Sequence, residues 1–339
     1  MDQSHPRWSR RRFVKGSMVA AVATGIGGTG VVVAADPKPE TTRIRLVQTH
    51  GMCQAPQYVA EELLRAEGFT EVQYLKRAGP HAIGDALSRG EADINMHFSG
   101  PLLLRIDRGE PITILGGVHP GCYELFTRER LRTLSDLKGL AIAIGAMQDP
   151  AHVFLSSMLA SIGFDPRKDV QWTVKPSAEA MQMLAQGKVD AFLGFPPDPQ
   201  DLRARKIGYV LVNSNVDRPW SQYFCCMLAG NKEFVRKNPV ATKRAMRAIL
   251  KATDICANEP DRASRVLVDT GRTERYDLMR QVLKDIPYGK WRDYDAEDTV
   301  RFYALRLHDA GMIKTSPQKI IAQGTDWRFL NELKRELRT

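Results

Sequence analysis

Four of the seven histidines fall in or next to loops that follow short predicted strands, and imidazole changes its charge near neutral pH. Taken singly, each is an ordinary hydrogen-bonded loop histidine. Together they could form a neutral pocket rich in hydrogen-bond donors, carry charge on demand, or bind a metal. Their spacing is not that of a local metal motif, so we expect no metal ligands. The four are His50, His97, His119 and His152.

The cysteines, which could act as metal ligands or nucleophiles, also lack an informative spacing. They form no CxxC pair, and their odd count leaves a free thiol unless the chain dimerises covalently. Cys225 and Cys226 are adjacent, which we interpret as small hydrophobic residues of a buried strand. No paired carboxylates, nucleophile elbow or phosphate loop occurs elsewhere. The residue types therefore indicate no catalytic site, and we expect no cofactor. The cysteines are Cys53, Cys122, Cys225, Cys226 and Cys256.

Short strands and amphipathic helices alternate along residues 43–212, which predicts α/β sheets with helices on both faces. The predicted helices include Pro56–Ala66, His81–Arg89 and Leu102–Arg108. From Lys232 onward the pattern is almost wholly helical. The predicted strands are Arg43–Val47, Val72–Leu75, Ala92–Met96, Ile112–Leu115, Tyr123–Thr127, Ala141–Ile144, Gln171–Val174, Ala191–Leu193 and Tyr209–Val212.

One weak repetition indicates where a ligand would bind. Residues 87–101, LSRGEADINMHFSGP, and residues 184–199, LAQGKVDAFLGFPPDP, share a helix end, a glycine, an aspartate, a short apolar strand and a loop with an aromatic residue and proline. Loops at the carboxyl ends of strands converge on the ligand crevice of an open α/β sheet. Two such halves facing each other would bracket a cleft.

Residues 1–35 have the order of a secretory signal: a basic cluster, an uncharged stretch, and small residues at the end. The cluster SRRRFVKG contains Arg10, Arg11, Arg12 and Phe13 and is similar to a twin-arginine signal, which a receptor recognises. A membrane anchor needs about 20 strongly apolar residues, and glycine and threonine dilute this stretch. We therefore expect export to the periplasm, with the signal removed after its last residue.

The charge of the rest of the chain is moderate. The chain has 49 Lys and Arg and 39 Asp and Glu; beyond residue 35 there remain 44 and 38, a net charge of +6. No basic tract is interleaved with aromatic residues, so we expect no nucleic-acid partner.

Five segments, spread over residues 43 to about 255, carry a resemblance to a known family. They are QAPQYVAEELLRAEGF, DALSRGEADINMHFSGP, TLSDLKGLAIAIG, MLAQGKVDAFL and CCMLAGNKEFVRKNP. In this order they resemble the nitrate/sulfonate/taurine class of periplasmic solute-binding proteins, which serve ABC importers and share a fold with the thiamine-pyrimidine synthases. The resemblance implies an α/β periplasmic-binding-protein fold of type II, with a ligand cleft between two lobes joined by two crossovers. Lobe I would comprise residues 43–125 and 226–339 with the C-terminal helices, and lobe II residues 126–225.

The resemblance also implies which loops meet the ligand. The loops implied to meet the ligand contain no Lys or Arg, although the forked guanidinium of arginine is the group that best matches a carboxylate or sulfonate. Two of them lead into helix N-termini, whose free N–H groups and dipole favour an anion. Asp149 before Pro150 most simply caps its helix and would compete for those N–H groups. The implied ligand-binding residues are Thr49, His50, Gln54, His97, Phe98, Ser99, Gly100, Tyr123, Gln148, His152, Phe195 and Tyr223.

Aromatic residues in the same loops favour a flat organic solute with a polar edge over bare nitrate. They are Phe98, Tyr123, Phe195, Trp220, Tyr223 and Phe224, some of which must belong to the core.

The resemblance implies a periplasmic solute-binding component of an ABC importer, which captures a small organic or oxyanionic solute and delivers it to the permease and ATPase at the inner membrane. We expect a monomer. Three alternatives remain. FCCM at residues 224–227 partly resembles the cysteine-rich run of the thiamine-pyrimidine synthases, which would indicate an enzyme. The chain could also be a metal-binding protein or an exported solute sensor.

Overall fold

The computed structural model describes residues 37–49 and 51–337. Strands and helices alternate up to Asn231, and helices follow from there. The strands are β1 (Arg43–Gln48), β2 (Glu71–Lys76), β3 (Ile94–Phe98), β4 (Ile112–Pro120), β5 (Glu124–Thr127), β6 (Ala141–Ile144), β7 (Gln171–Val174), β8 (Ala191–Gly194), β9 (Tyr209–Asn213) and β10 (Phe224–Asn231). The helices are α1 (Ala55–Val59), α2 (Glu61–Ala66), α3 (Ala82–Ser88), α4 (Ser99–Asp107), α5 (Pro150–Ser161), α6 (Ser177–Ala185), α7 (Asp198–Ala204), α8 (Lys232–Lys237), α9 (Pro239–Asn258), α10 (Pro260–Asp269), α11 (Tyr276–Asp285), α12 (Ala296–Asp309), α13 (Pro317–Gly324) and α14 (Arg328–Glu336).

The strands form three sheets. β1 and β2 are parallel, and β10 lies between β3 and β4, antiparallel to both. The third sheet has the order β7-β6-β8-β5-β9, in which β6 is parallel to β7 and β8 while β5 is antiparallel to β8 and β9. Parallel strands bring their carboxyl ends to one edge, so the loops after β1 and β2 lie side by side, as do those after β6 and β8.

The predicted strands are confirmed, and two features differ from the prediction. The predicted helix Pro56–Ala66 is two helices separated by Ala60, although the Ala60 N–H still bonds to the Pro56 carbonyl at 3.0 Å. β10 is missing from the list of predicted strands, and only its Cys225 and Cys226 are predicted as buried strand residues, because its continuous apolar run has no alternation to distinguish strand from helix. All eight of its residues are buried, as befits the central strand of a sheet.

The packing of β4 against β10 leaves no room at Gly117. A Cβ built there would lie 2.2 Å from Cδ2 of Phe224, whose ring is fully buried and cannot move aside. The glycine is therefore needed for close packing and not for a positive φ.

We expect Gly117→Ala to lower the free energy of unfolding by about 1–3 kcal/mol, because the methyl group overpacks the core at Phe224. Urea unfolding followed by circular dichroism measures the change. Gly289→Ala is the matched control, since its Cβ would meet its nearest neighbour at 3.9 Å, and we expect it to change stability by at most about 0.5 kcal/mol. Equal midpoints for the two variants would contradict the packing argument.

A buried ion pair joins β5 to two helices. The side chain of Glu124 is 1% exposed and binds Arg203 on α7, which also contacts Asp285 on α11 at 2.5 Å. The other carboxylate oxygen of Glu124, Oε2, is buried without a hydrogen-bond partner among the described residues. Arg203 is therefore the main compensation for a charge held out of water.

In residues 37–49 and 51–337, none of the helices combines the length and the apolar composition needed to cross a bilayer. The signal residues Arg10, Arg11, Arg12 and Phe13 lie outside this described part of the chain, as does His50.

Candidate functional site

A pocket of about 410 Å³ opens where the loops after β1, β2, β6 and β8 converge, next to β3 and β10. The Met52 N–H donates to the Pro196 carbonyl at 3.2 Å, so the loops after β1 and β8 touch beside it. Its position at strand ends is that of a ligand crevice. The lining residues are Gln48, Thr49, Gly51, Cys53, Gln54, Arg77, Ala78, Gly79, Pro80, Ala82, Ile83, His97, Phe98, Cys122, Tyr123, Gly145, Asp149, Pro150, Ser177, Phe195 and Cys226.

One wall of the pocket is aromatic. Tyr123 packs against Phe98 with ring centroids 5.4 Å apart and against Phe195 at 5.9 Å, both in edge-to-face geometry. Behind them, Phe154 contacts Phe98 and Tyr123 and holds the two rings in place. A wall of fixed rings suits an apolar or flat part of a ligand.

The polar side of the pocket is mostly neutral. Thr49 donates its hydroxyl to Oε1 of Gln54 at 2.8 Å, and the Thr49 N–H donates to the Tyr58 hydroxyl at 2.7 Å. These bonds orient the loop after β1. Because the Gln54 oxygen is used in this way, its amide group retains two N–H donors for a ligand.

Asp149 caps α5, as predicted. Its Oδ1 accepts from the His152 N–H at 2.7 Å and its Oδ2 from the Ala146 N–H at 2.9 Å. Burial raises the pKa of Asp149, against the lowering effect of these bonds. The carboxylate occupies N–H groups that an anion would need, so the start of α5 is not a free anion site.

Of the possibilities considered for the histidines, two of them match a neutral ring and not one that carries charge near neutral pH. Burial lowers the pKa of His97, which lines the pocket, to about 4. Burial also lowers the pKa of His152 to about 4, and its Nδ1 accepts the Gln148 N–H at 3.1 Å. Both rings are therefore neutral at pH 7, since a buried imidazolium would lose its hydration.

A cation that the sequence analysis missed stands on the pocket wall. Arg77, in the loop after β2, lines the pocket and donates through Nε to Glu91 Oε2 at 3.0 Å. The carboxyl end of β2 lies beside that of β1, so the strand-end rule used for the other loops would have identified it. The pocket consequently holds one guanidinium, balanced by Glu91, together with the buried carboxyl of Asp149.

Three cysteines from distant parts of the sequence, Cys53, Cys122 and Cys226, also line the pocket. The sulfurs of Cys122 and Cys225 are 2.9 Å apart, and all of these thiols are buried and free. Sequence spacing could not indicate this cluster, because its members are separated by up to 173 residues.

Of the predicted ligand residues that the structure describes, six line this pocket and five lie elsewhere. Thr49, Gln54, His97, Phe98, Tyr123 and Phe195 line it. Ser99 and Gly100 are buried in the first turn of α4, and a Cβ at Gly100 would lie 2.6 Å from Val153. Gln148 lines a neighbouring pocket of about 230 Å³. His152 packs on Trp172 at 4.8 Å, and Tyr223 stacks on Phe302 at 3.8 Å.

The chain is similar to a known protein family and to a curated protein. Residues 37–268 match the NMT1-like family. The bicarbonate-binding protein CmpA of Synechococcus elongatus is 29% identical over 113 residues, which are 33% of this chain and 25% of CmpA. The chain thus matches only a quarter of the length of this curated relative.

Solved structures give the fold. The periplasmic nitrate-binding protein NrtA of Synechocystis PCC 6803 superposes with a TM-score of 0.73 at 17% identity, covering 89% of this chain and 90% of NrtA. The alkanesulfonate-binding protein SsuA of Xanthomonas axonopodis pv. citri, bound to MOPS, gives 0.65 at 18% identity over 83% and 96%. The desulfurization enzyme DSZB gives 0.60 at 15% identity over 87% and 100%, so this fold also carries an enzyme. The expected periplasmic-binding-protein fold is confirmed.

Proposed function

Because the chain belongs to the NMT1-like family, we propose that it is the solute-binding component of an ABC importer. The observation that carries this proposal is the pocket of about 410 Å³ at the carboxyl ends of the strands, with an aromatic wall and a polar wall that includes the Arg77 guanidinium. A pocket with an apolar wall and a few polar groups at strand ends suits the binding of a small solute. His97, which lines the pocket, is neutral at pH 7 because burial lowers its pKa to about 4.

The solute we propose is an organic molecule with a flat or apolar part and a single anionic or strongly polar group. Phe98, Tyr123 and Phe195 would contact the apolar part. Thr49, Gln54 and Arg77 would bind the polar group of the solute. Arg77 is the charged partner among the three, and it already forms an ion pair with Glu91. A pocket of this size holds more than the nitrate or bicarbonate named for NrtA and CmpA, so an aryl or alkyl sulfonate or an aromatic carboxylate fits better.

We further propose that the pocket lies between two lobes that close on the solute. Lobe I is residues 43–125 and 226–339, lobe II is residues 126–225, and the crossovers run near residues 123–128 and 222–227. In support, the five-stranded sheet is built from residues 124–213, and the pocket takes residues from both segments. The closed form would be presented to a permease.

We propose a periplasmic location, with export by the twin-arginine route through residues 1–35. The support is the order of basic, uncharged and small residues in that segment. The chain would work as a monomer with a permease and an ATPase.

A screen of solutes by thermal unfolding tests the proposal. A solute at about 100 times its Kd is expected to add about 2.7 kcal/mol, which raises Tm by a few degrees for a protein of this size. The probes are nitrate, bicarbonate, alkyl and aryl sulfonates and aromatic carboxylates. We expect a shift with an organic anion and recovery of that solute unchanged. No shift with any probe, or conversion of the solute, would overturn the proposal.

Two variants connect the shift to the pocket. Phe195→Ala removes part of the aromatic wall and is expected to weaken solute binding at least about tenfold. Phe164→Ala removes an equally half-buried ring that contacts Lys138 outside this pocket, and is expected to leave affinity unchanged. Equal affinities for the two variants would mean that the solute binds elsewhere.

A further inference from the structure

Three side chains of types that can bind metals lie close together at the pocket, although they are far apart in the sequence. The sulfurs of Cys53 and Cys226 and a ring nitrogen of His119 all lie within 4.8 Å of one another. Cys53 belongs to the one-turn 3-10 helix after β1, His119 to the end of β4, and Cys226 to β10. All three residues are buried, so their mutual positions are set by the core and not by mobile loops.

His119 lacks the hydrogen bond that a buried ring nitrogen normally makes. Its Nδ1 is 3.2 Å from the Pro120 carbonyl, to which an Nδ1–H can donate. Its Nε2 is buried with no hydrogen-bond partner among the described residues, although the residue is 0% exposed. A buried acceptor without a partner is costly. An Nδ1–H bonded to a carbonyl with Nε2 left free is the arrangement of a histidine that binds a metal through Nε2.

A second layer of contacts holds two of these residues. The Tyr288 hydroxyl donates to the Cys53 carbonyl at 2.8 Å, and the Tyr288 ring packs on the His119 ring at 5.0 Å. Tyr288 is itself fully buried. Such outer contacts orient ligands in metal sites and limit their rearrangement.

We propose that Cys53, His119 and Cys226 form a binding site for a thiophilic divalent cation, with Zn²⁺ as the representative ion. Two thiolates and one imidazole match the ligand preference of Zn²⁺, with bonds of about 2.3 Å to sulfur and about 2.0 Å to nitrogen. On a tetrahedral ion two sulfurs lie about 3.8 Å apart and a sulfur and a nitrogen about 3.5 Å apart. The three ligand atoms lie within 4.8 Å of one another, so each separation shortens by at most about 1.3 Å when the ion binds.

The site is reachable from the solute pocket, because Cys53 and Cys226 line it together with Cys122. Three protein ligands leave the fourth position of a tetrahedral ion open. The ion binds the thiolate form of each cysteine, so any proton still on either sulfur leaves to solvent when the ion binds. The proposal does not depend on which solute the pocket binds, or on whether the chain serves an importer.

Metal binding by the purified full chain tests the proposal. The protein is kept reduced, because oxidation would join Cys122 to Cys225 and disturb the cluster. We expect one equivalent of Zn²⁺ in equilibrium dialysis, and a thiolate-to-metal absorption band with Co²⁺. Cys53→Ser, His119→Gln and Cys226→Ser should each weaken Zn²⁺ binding at least about 100-fold. Cys256→Ser, which changes another fully buried cysteine on α9, should leave it unchanged.

Failure of the wild-type chain to bind one equivalent would overturn the proposal, as would unchanged affinity in all three ligand variants. A second measurement on the wild type covers the case in which a variant fails to fold. Zn²⁺ should protect Cys53 and Cys226 from alkylation, as located by peptide mass spectrometry, and unchanged labelling of both would overturn the proposal. Repeating the solute screen with a chelator present shows whether the chain binds its solute without metal. Failure of the proposed metal site is thereby distinguished from failure of the proposed solute-binding function.

Discussion

Lowering the pH from 7 to about 4 is expected to reduce the free energy of unfolding by about 3 kcal/mol for each of His97 and His152. Burial lowers the pKa of both rings from 6.5 to about 4 in the folded chain. Below pH 6.5 the unfolded chain therefore binds more protons than the folded chain. The stabilisation is complete above about pH 6.5 and is lost as the pH falls toward 4.

The surroundings of each ring explain the low pKa. Burial is the main cause for His97; the positive charge of Arg105 lowers its pKa further, and Cys226 acts in the opposite direction. At His152 burial acts alone on the pKa, and protonation of Nδ1 would also break the bond from the Gln148 N–H.

Urea unfolding at a series of pH values measures this effect. His97→Gln and His152→Gln remove one titrating ring each, so each should flatten the pH dependence by about 3 kcal/mol. His308→Gln is the matched control, because His308 is exposed on α12 and should leave the curve unchanged. Parallel curves for the wild type and both buried-site variants would mean that these rings ionise freely in the folded protein.

Replacing Arg203 by Met is expected to destabilise the protein by about 3–5 kcal/mol at pH 7, because Glu124 remains buried without its partner. Burial already raises the pKa of Glu124 despite the opposing effect of Arg203. Without Arg203 that pKa should rise further. The folded chain then binds more protons than the unfolded chain above the unfolded pKa, so acidification toward pH 4.5 should recover part of the loss.

Chemical denaturation of three variants tests this expectation. Arg205→Met, at the exposed end of α7, should change stability by at most about 0.5 kcal/mol. The double variant Arg203→Met with Glu124→Gln should be more stable than Arg203→Met alone, since the amide removes the uncompensated charge. A loss below about 1 kcal/mol for Arg203→Met, or no recovery in the double variant, would show that Glu124 is well solvated without Arg203.

The strands and helices were predictable because the residue patterns that indicate them are local in the sequence. Periodic apolar residues indicated strands such as β1 and β6, which the structure has at nearly the same bounds. The Asp149 cap was predictable for the same reason, since a side chain that bonds to the N–H three residues later depends only on its own turn. β10 was missed as a complete strand because a continuous apolar run has no alternation of apolar and polar residues.

The sequence by itself therefore determined most of the secondary structure and the α/β class, which rest on patterns within a few dozen residues, and the family, which rests on five short segments in a fixed order. Tertiary structure alone decided that His97 and His152 are too buried to charge at pH 7, and that Cys53, His119 and Cys226 meet. The physical reason is that the burial of a ring depends on the whole fold, and that Cys53, His119 and Cys226 are at least 66 residues apart, where no local period or spacing records their proximity.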